Sequence, residues 1–78
     1  MRRVKVYSSR DCPNCVMLKR FLRERDISYV DIDVSFDEEA TYELMMKSGQ
    51  MAVPVTEVEG HVIVGFNVDA LTKALELT

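Results

Sequence analysis

The sequence predicts an α/β domain in which a four-stranded mixed sheet carries three helices, in the order β-α-β-α-β-β-α. Three observations carry this expectation. Apolar residues alternate at period two around Val4 and Val6, again through Val30, Ile32 and Val34, and from Val53 to Val64, which is the spacing of strands. Between those runs they recur at i, i+3, i+4, as at Leu18, Phe21 and Leu22, which is the spacing of a buried helix face. Both cysteines, Cys12 and Cys15, fall where the first strand pattern gives way to the first helix pattern.

In chain order, strand one covers 3–8 and ends at Ser8-Ser9. Helix one covers 13–25 and opens with Pro13, whose missing N–H would be unpaired at a first helical position anyway. Strand two is the β-branched run Ile27–Val34. It is reached through a helix and so lies parallel to strand one by a right-handed crossover. Ser35-Phe36-Asp37-Glu38 fits a capping box opening helix two over 36–48, with Ala40, Leu44 and Met45 as its apolar stripe and Gly49 as its stop. Val53, Val55 and Val58, then Val62 and Val64, flank a tight turn at Glu59-Gly60-His61 and read as an antiparallel hairpin. Asn67 suits the cap of a last helix with Val68, Leu71 and Leu75 on its apolar face. Met45, Met46 and Met51 are expected as core and cover residues.

The totals limit what such a domain can do. At 78 residues the chain is expected to form one domain over 1–78. Its 47% apolar and 29% charged residues are those of an ordinary globular protein. Ten basic and thirteen acidic residues are mixed along the chain to a net charge of −3, with no basic run to track a phosphate backbone, so nucleic acid is not an expected partner. Met1-Arg2-Arg3 is not followed by the apolar run of an export signal, and no run reaches membrane-spanning length. The expected location is the cytoplasm, where a cysteine pair is more often catalytic or metal-binding than structural. The expected state is a monomer that engages no membrane.

The pair Cys12-Pro13-Asn14-Cys15 carries the chemistry. A sulfur just ahead of a helix faces the free N–H groups of the first turn and the positive end of the helix dipole, which favours thiolate over thiol. That makes Cys12 the expected nucleophile and Cys15, one turn further in, the residue that resolves a mixed disulfide. Arg10 adds to the thiolate-favouring field and Asp11 opposes it. A purely structural staple is a poor alternative, since closing so short a loop contributes roughly 2 kcal/mol against about 3 for fifteen residues. A dimeric metal or iron–sulfur carrier is a further alternative. Structural zinc takes four ligands where this chain offers the cysteines and His61, so a second subunit would have to complete the shell. A passive interaction module without turnover is the third. His61 itself reads as an exposed turn residue far along the sheet from Cys12.

Taken together, these residues resemble a small glutaredoxin with a thioredoxin-like fold, and more narrowly the redoxins that reduce ribonucleotide reductase. The resemblance spans the whole length. It rests on Tyr7-Ser8-Ser9 leading to Cys12-Pro13-Asn14-Cys15, on Ser48-Gly49-Gln50-Met51-Ala52-Val53-Pro54-Val55, and on Val64-Gly65-Phe66-Asn67. It implies a dithiol–disulfide oxidoreductase acting on disulfide-containing proteins, with thioredoxin reductase or glutathione as electron donor. No tightly bound cofactor or metal is implied, and glutathione enters as reductant or substrate. It also implies a cis Val53–Pro54 bond and a substrate surface of Arg10, Pro13, Ala52, Val53, Pro54, Gly65, Phe66 and Asp69. The chain departs from the pattern of glutathione-using members at Ser9, Asn14, Ala52, Phe66 and Val68.

Overall fold

A computed structural model describes residues 3–77. Its elements are β1 (Val4–Ser8), α1 (Pro13–Glu24), β2 (Val30–Asp33), α2 (Glu38–Ser48), β3 (Val55–Val58), β4 (His61–Val64) and α3 (Val68–Ala74). The sheet order is β2-β1-β3-β4, with β1 parallel to β2 and antiparallel to β3, and β3 antiparallel to β4. This is the mixed sheet and element order that the residue patterns predict.

Alternation along β1 serves two cores because β1 lies inside the sheet with helices on both faces. Val4 and Val6 join Leu18, Phe21 and Leu22 of α1 with Leu71 and Leu75 at α3. Tyr7 points the other way, to Leu44 of α2 and Val55 of β3. Burying each large side chain contributes about 1.5–3 kcal/mol, so the first core outweighs the second. The second gains polar ties instead. The buried Tyr7 hydroxyl donates to the Glu43 carboxylate, and Lys47 Nζ donates to Glu57 at 2.7 Å. Burial raises the Tyr7 pKa, and the Tyr7 hydroxyl lowers that of Glu43.

Several expected boundaries move for local reasons. β2 starts at Val30 rather than Ile27, because 27–29 belong to the exit from α1. There Asp26 takes φ 56° and its N–H donates to the Arg23 carbonyl at 3.1 Å, while the Ile27 N–H donates to the Leu22 carbonyl at 2.9 Å. This is a Schellman closure with an aspartate in the left-handed position. α2 is capped by Asp37 and not by Ser35, the Asp37 carboxylate accepting the Ala40 N–H at 3.0 Å. Ser35 is drawn away, its N–H donating to Asp33 and its hydroxyl accepting the Arg10 N–H at 2.9 Å. The hairpin turn is the two residues Glu59 and Gly60, at φ 49° and 86°, the positive pair of a type I′ turn. His61 is therefore the exposed first residue of β4, paired with Val58. Val68 is exposed and leaves the apolar face of α3 to Leu71 and Leu75.

The methionine expectation fails. Met45, Met46 and Met51 are all exposed, Met46 to 65%. Ala40 and Leu44 are the buried residues of α2, Leu44 packing with Tyr7 and Val55, and the methionines lie outside that core. Asp37→Ala removes the cap of α2 and should lower unfolding free energy by about 1 kcal/mol. Phe36→Ala, at a position 84% exposed, should stay within about 0.5 kcal/mol of the parent in urea titration.

Candidate active site

The first turn of α1 brings the cysteines together. Asp11 adopts φ 55°, a left-handed conformation that aspartate tolerates better than most residues. The chain then straightens into an extended Cys12 that serves as N-cap, with Pro13 at the head of the helix. Cys12 Sγ accepts the Cys15 N–H at 3.1 Å, so the sulfur occupies the place that a serine or aspartate oxygen takes at other helix starts. Cys15 follows one turn later and is 1% exposed, whereas Cys12 is half-buried. The two are joined as a disulfide with Cα atoms 5.2 Å apart.

Cys12 opens onto a groove of about 680 Å³. Arg10 and Asp11 line it from the active-site loop, and Pro13, Val16 and Lys19 from α1. Ser8, Asp31 and Asp33 line it from the C-terminal ends of β1 and β2. The charges are paired with one another. Lys19 Nζ meets Asp31 at 2.6 Å, and the other oxygen of Asp31 accepts the buried Ser8 hydroxyl at 2.7 Å. Arg10 lies 3.8 Å from Asp33, with its guanidinium 5.0 Å over the Phe36 ring. The Ser35 N–H and hydroxyl, then Arg10 and Lys19, hold the Asp33 carboxyl below its ordinary range. The groove thus carries three carboxylates and two cations, a small net negative charge.

Of the residues expected to form the substrate surface, Arg10 and Pro13 share the groove with Cys12. The others form a second group. The Val53–Pro54 bond is cis, and the Pro54 carbonyl accepts the Gly65 N–H at 2.8 Å, which ties the 52–54 stretch to 65–66. Phe66 is half-buried with its ring edge-on to Phe21, centroids 6.0 Å apart. Asp69 sits in the first turn of α3, behind the Asn67 cap. Lys19, Asp31 and Asp33 were not foreseen as groove residues. The register pairs Ser8 with Asp33 and Val6 with Asp31, so laying the two parallel strands side by side was the signal that would have found the two aspartates, whereas Lys19 comes from α1 and joins them through its ion pair with Asp31.

Among the described residues no three His, Cys, Asp or Glu side chains cluster closely enough to hold a metal ion. No helix among them is long and apolar enough to cross a membrane.

Comparison with known proteins gives the chain a family. The glutaredoxin family profile matches residues 4–63, and the chain belongs to the glutaredoxin family. A glutaredoxin-like 8.6 kDa protein in the rubredoxin operon of Clostridium pasteurianum is 37% identical over 94% of this chain and 97% of its own length. The glutaredoxin-like protein NrdH of Lactococcus lactis is 32% identical over 90% and 96%. The structure of NrdH-redoxin from Escherichia coli superposes with TM-score 0.79 at 27% identity, covering 91% of this chain and 92% of that one. The fold is thioredoxin-like, and the chain is a glutaredoxin-like redox protein with a closely spaced cysteine pair.

Because the Asp33 pKa is lowered in the folded protein, its contribution to stability is full above its ordinary value of 3.8 and is lost as pH falls through the lowered value. Asp33→Asn should therefore melt below the parent at neutral pH, and the gap should close on acidification. Thermal midpoints of both proteins across that range check this.

Proposed function

We propose that the protein is a protein-disulfide reductase in which Cys12 attacks and Cys15 resolves. The observation that carries this reading is the Cys15 N–H donated to Cys12 Sγ at 3.1 Å on the more exposed of two unequal cysteines. That donor and the helix dipole favour negative charge on Cys12. The Cys12 thiolate attacks one sulfur of the substrate disulfide. The substrate S–S bond breaks, a Cys12–substrate bond forms, and the departing thiolate takes a proton from solvent. Cys15 then loses its proton and attacks Cys12 Sγ, releasing the second substrate thiol and closing the Cys12–Cys15 bond. Two electrons pass from protein to substrate. A donor of two electrons must reopen the bond.

We assign that role to thioredoxin reductase, with NADPH behind it, ahead of glutathione. The chain lacks the glutathione-pattern residues at Ser9, Ala52, Phe66 and Val68. The groove cations Lys19 and Arg10 are already engaged by Asp31 and Asp33, so the carboxylates of glutathione meet a net negative surface. The described relative from Escherichia coli is reported to have a thioredoxin-like activity profile. We further assign action on cytoplasmic protein substrates as a monomer.

Cys12→Ser should abolish disulfide reduction, and Cys15→Ser should accumulate mixed disulfides detectable by mass; full activity in Cys12→Ser would sink the mechanism. In a coupled assay, NADPH should be consumed faster with thioredoxin reductase than with glutathione and glutathione reductase. The reverse order would reassign the donor.

A further inference from the structure

The outer side of α2 carries large apolar side chains among its carboxylates although it faces solvent. Ala40 and Leu44 occupy the sheet side, yet Phe36, Tyr42, Met45, Met46 and Met51 are exposed, Tyr42 to 61%. The outer face of a surface helix is ordinarily polar. Two shallow hollows of about 530 and 540 Å³ run along this face and share Glu38 and Tyr42, so the apolar side chains make one continuous band. Contiguous exposed apolar surface marks an interaction site where scattered residues do not. The band also joins the cysteine groove. Arg10 lines that groove while its guanidinium covers Phe36 at 5.0 Å and its N–H donates to Ser35.

Charge selects the occupant. Asp37, Glu38, Glu39 and Glu43 border the band, and the cations that reach it are already engaged: Lys47 by Glu57 at 2.7 Å and Glu43 at 3.8 Å, and Arg10, over Phe36, by Asp33 at 3.8 Å. A second copy set face to face would oppose carboxylate to carboxylate, and nucleic acid or anionic lipid would be repelled in the same way. We infer that this band docks the disulfide-bearing protein substrate through an apolar segment of that partner carrying Lys or Arg. The inference rests on the disulfide exchange proposed above and deepens it by naming what selects the substrate. Aromatic rings supply anchors and methionines adapt to varied partners. At about 1.5 Å per residue α2 is short enough for an extended segment of about six residues to span it.

The test separates docking from chemistry. Two synthetic peptides carry the same apolar residues, interspersed with Lys in one and with Glu in the other, and each is made with an intrachain disulfide or with serines in place of its cysteines. In NMR titrations the Lys serine peptide should shift amide signals along α2 and bind about tenfold tighter than the Glu peptide, an advantage that added salt erodes. With pre-reduced protein, the Lys disulfide peptide should be reduced about tenfold faster than the Glu one. Tyr42→Ser combined with Met46→Ser should erase both preferences while leaving reduction of cystine unchanged. Equal binding of the two peptides, shifts confined to other elements, or a self-association abolished by the double variant would overturn the docking surface. If Cys12 chemistry is absent, cystine is not reduced by either protein, and the serine-peptide titration still decides the surface.

Discussion

The burial of β1 on both faces is the constraint from which the rest of the molecule follows. A strand so placed must be flanked by other strands and covered by helices on each side, and here it pairs in parallel with β2 and antiparallel with β3. Parallel pairing requires a crossover, which α1 supplies. The end of β1 and the start of α1 therefore meet at one edge of the sheet, where open α/β sheets leave room for a ligand. Cys12 is at that junction because the chain has to turn there, and the turn is made by a left-handed Asp11.

Function then comes from backbone groups as much as from side chains. The sulfur of Cys12 is the helix cap, so the group to which we assign the attack on a disulfide is also the group that satisfies an otherwise unpaired N–H. Cys15 has the opposite surroundings, closed off among core residues one helical turn away. Two identical side chains thus acquire different exposure and different electrostatics from their positions on one helix. Around them, the carboxylates of β2 neutralise the cations that the loop and helix bring, and the groove is left with little attraction for a small anionic thiol.

Most of this architecture was legible because it depends on period and on local chemistry. Alternation found four strands, i, i+3, i+4 spacing found the helices, and Gly49, Asn67 and Pro13 marked helix ends through their own local chemistry. What escaped was settled by competition between neighbours. Ser35 matched the capping pattern but lost the role to Asp37, because the Arg10 amide claims its hydroxyl from across the chain. Asp26 closed α1 in a conformation usually given to glycine, which shortened β2. Apolar character alone did not separate Leu44, inside, from Met45 and Met46, outside, since that depends on how much space the sheet leaves. The cysteines were legible for the opposite reason: their spacing and helix start define the site without reference to distant residues. The groove around them was not, because Asp31 and Asp33 arrive from another strand.

Those two aspartates have a bearing beyond the groove. Among the described residues β2 lies at the rim of the sheet with no strand on its outer side, and a bare rim of that kind is a template for runaway fibril growth. Alternate positions of this four-residue strand carry negative charge, and both aspartates are exposed. Stacking copies of it would bring carboxylates into line at each step. Neutralising Asp31 and Asp33 would make the groove less negative and at the same time strip that guard, so the charge of the groove and the protection of the rim are bound to the same two side chains.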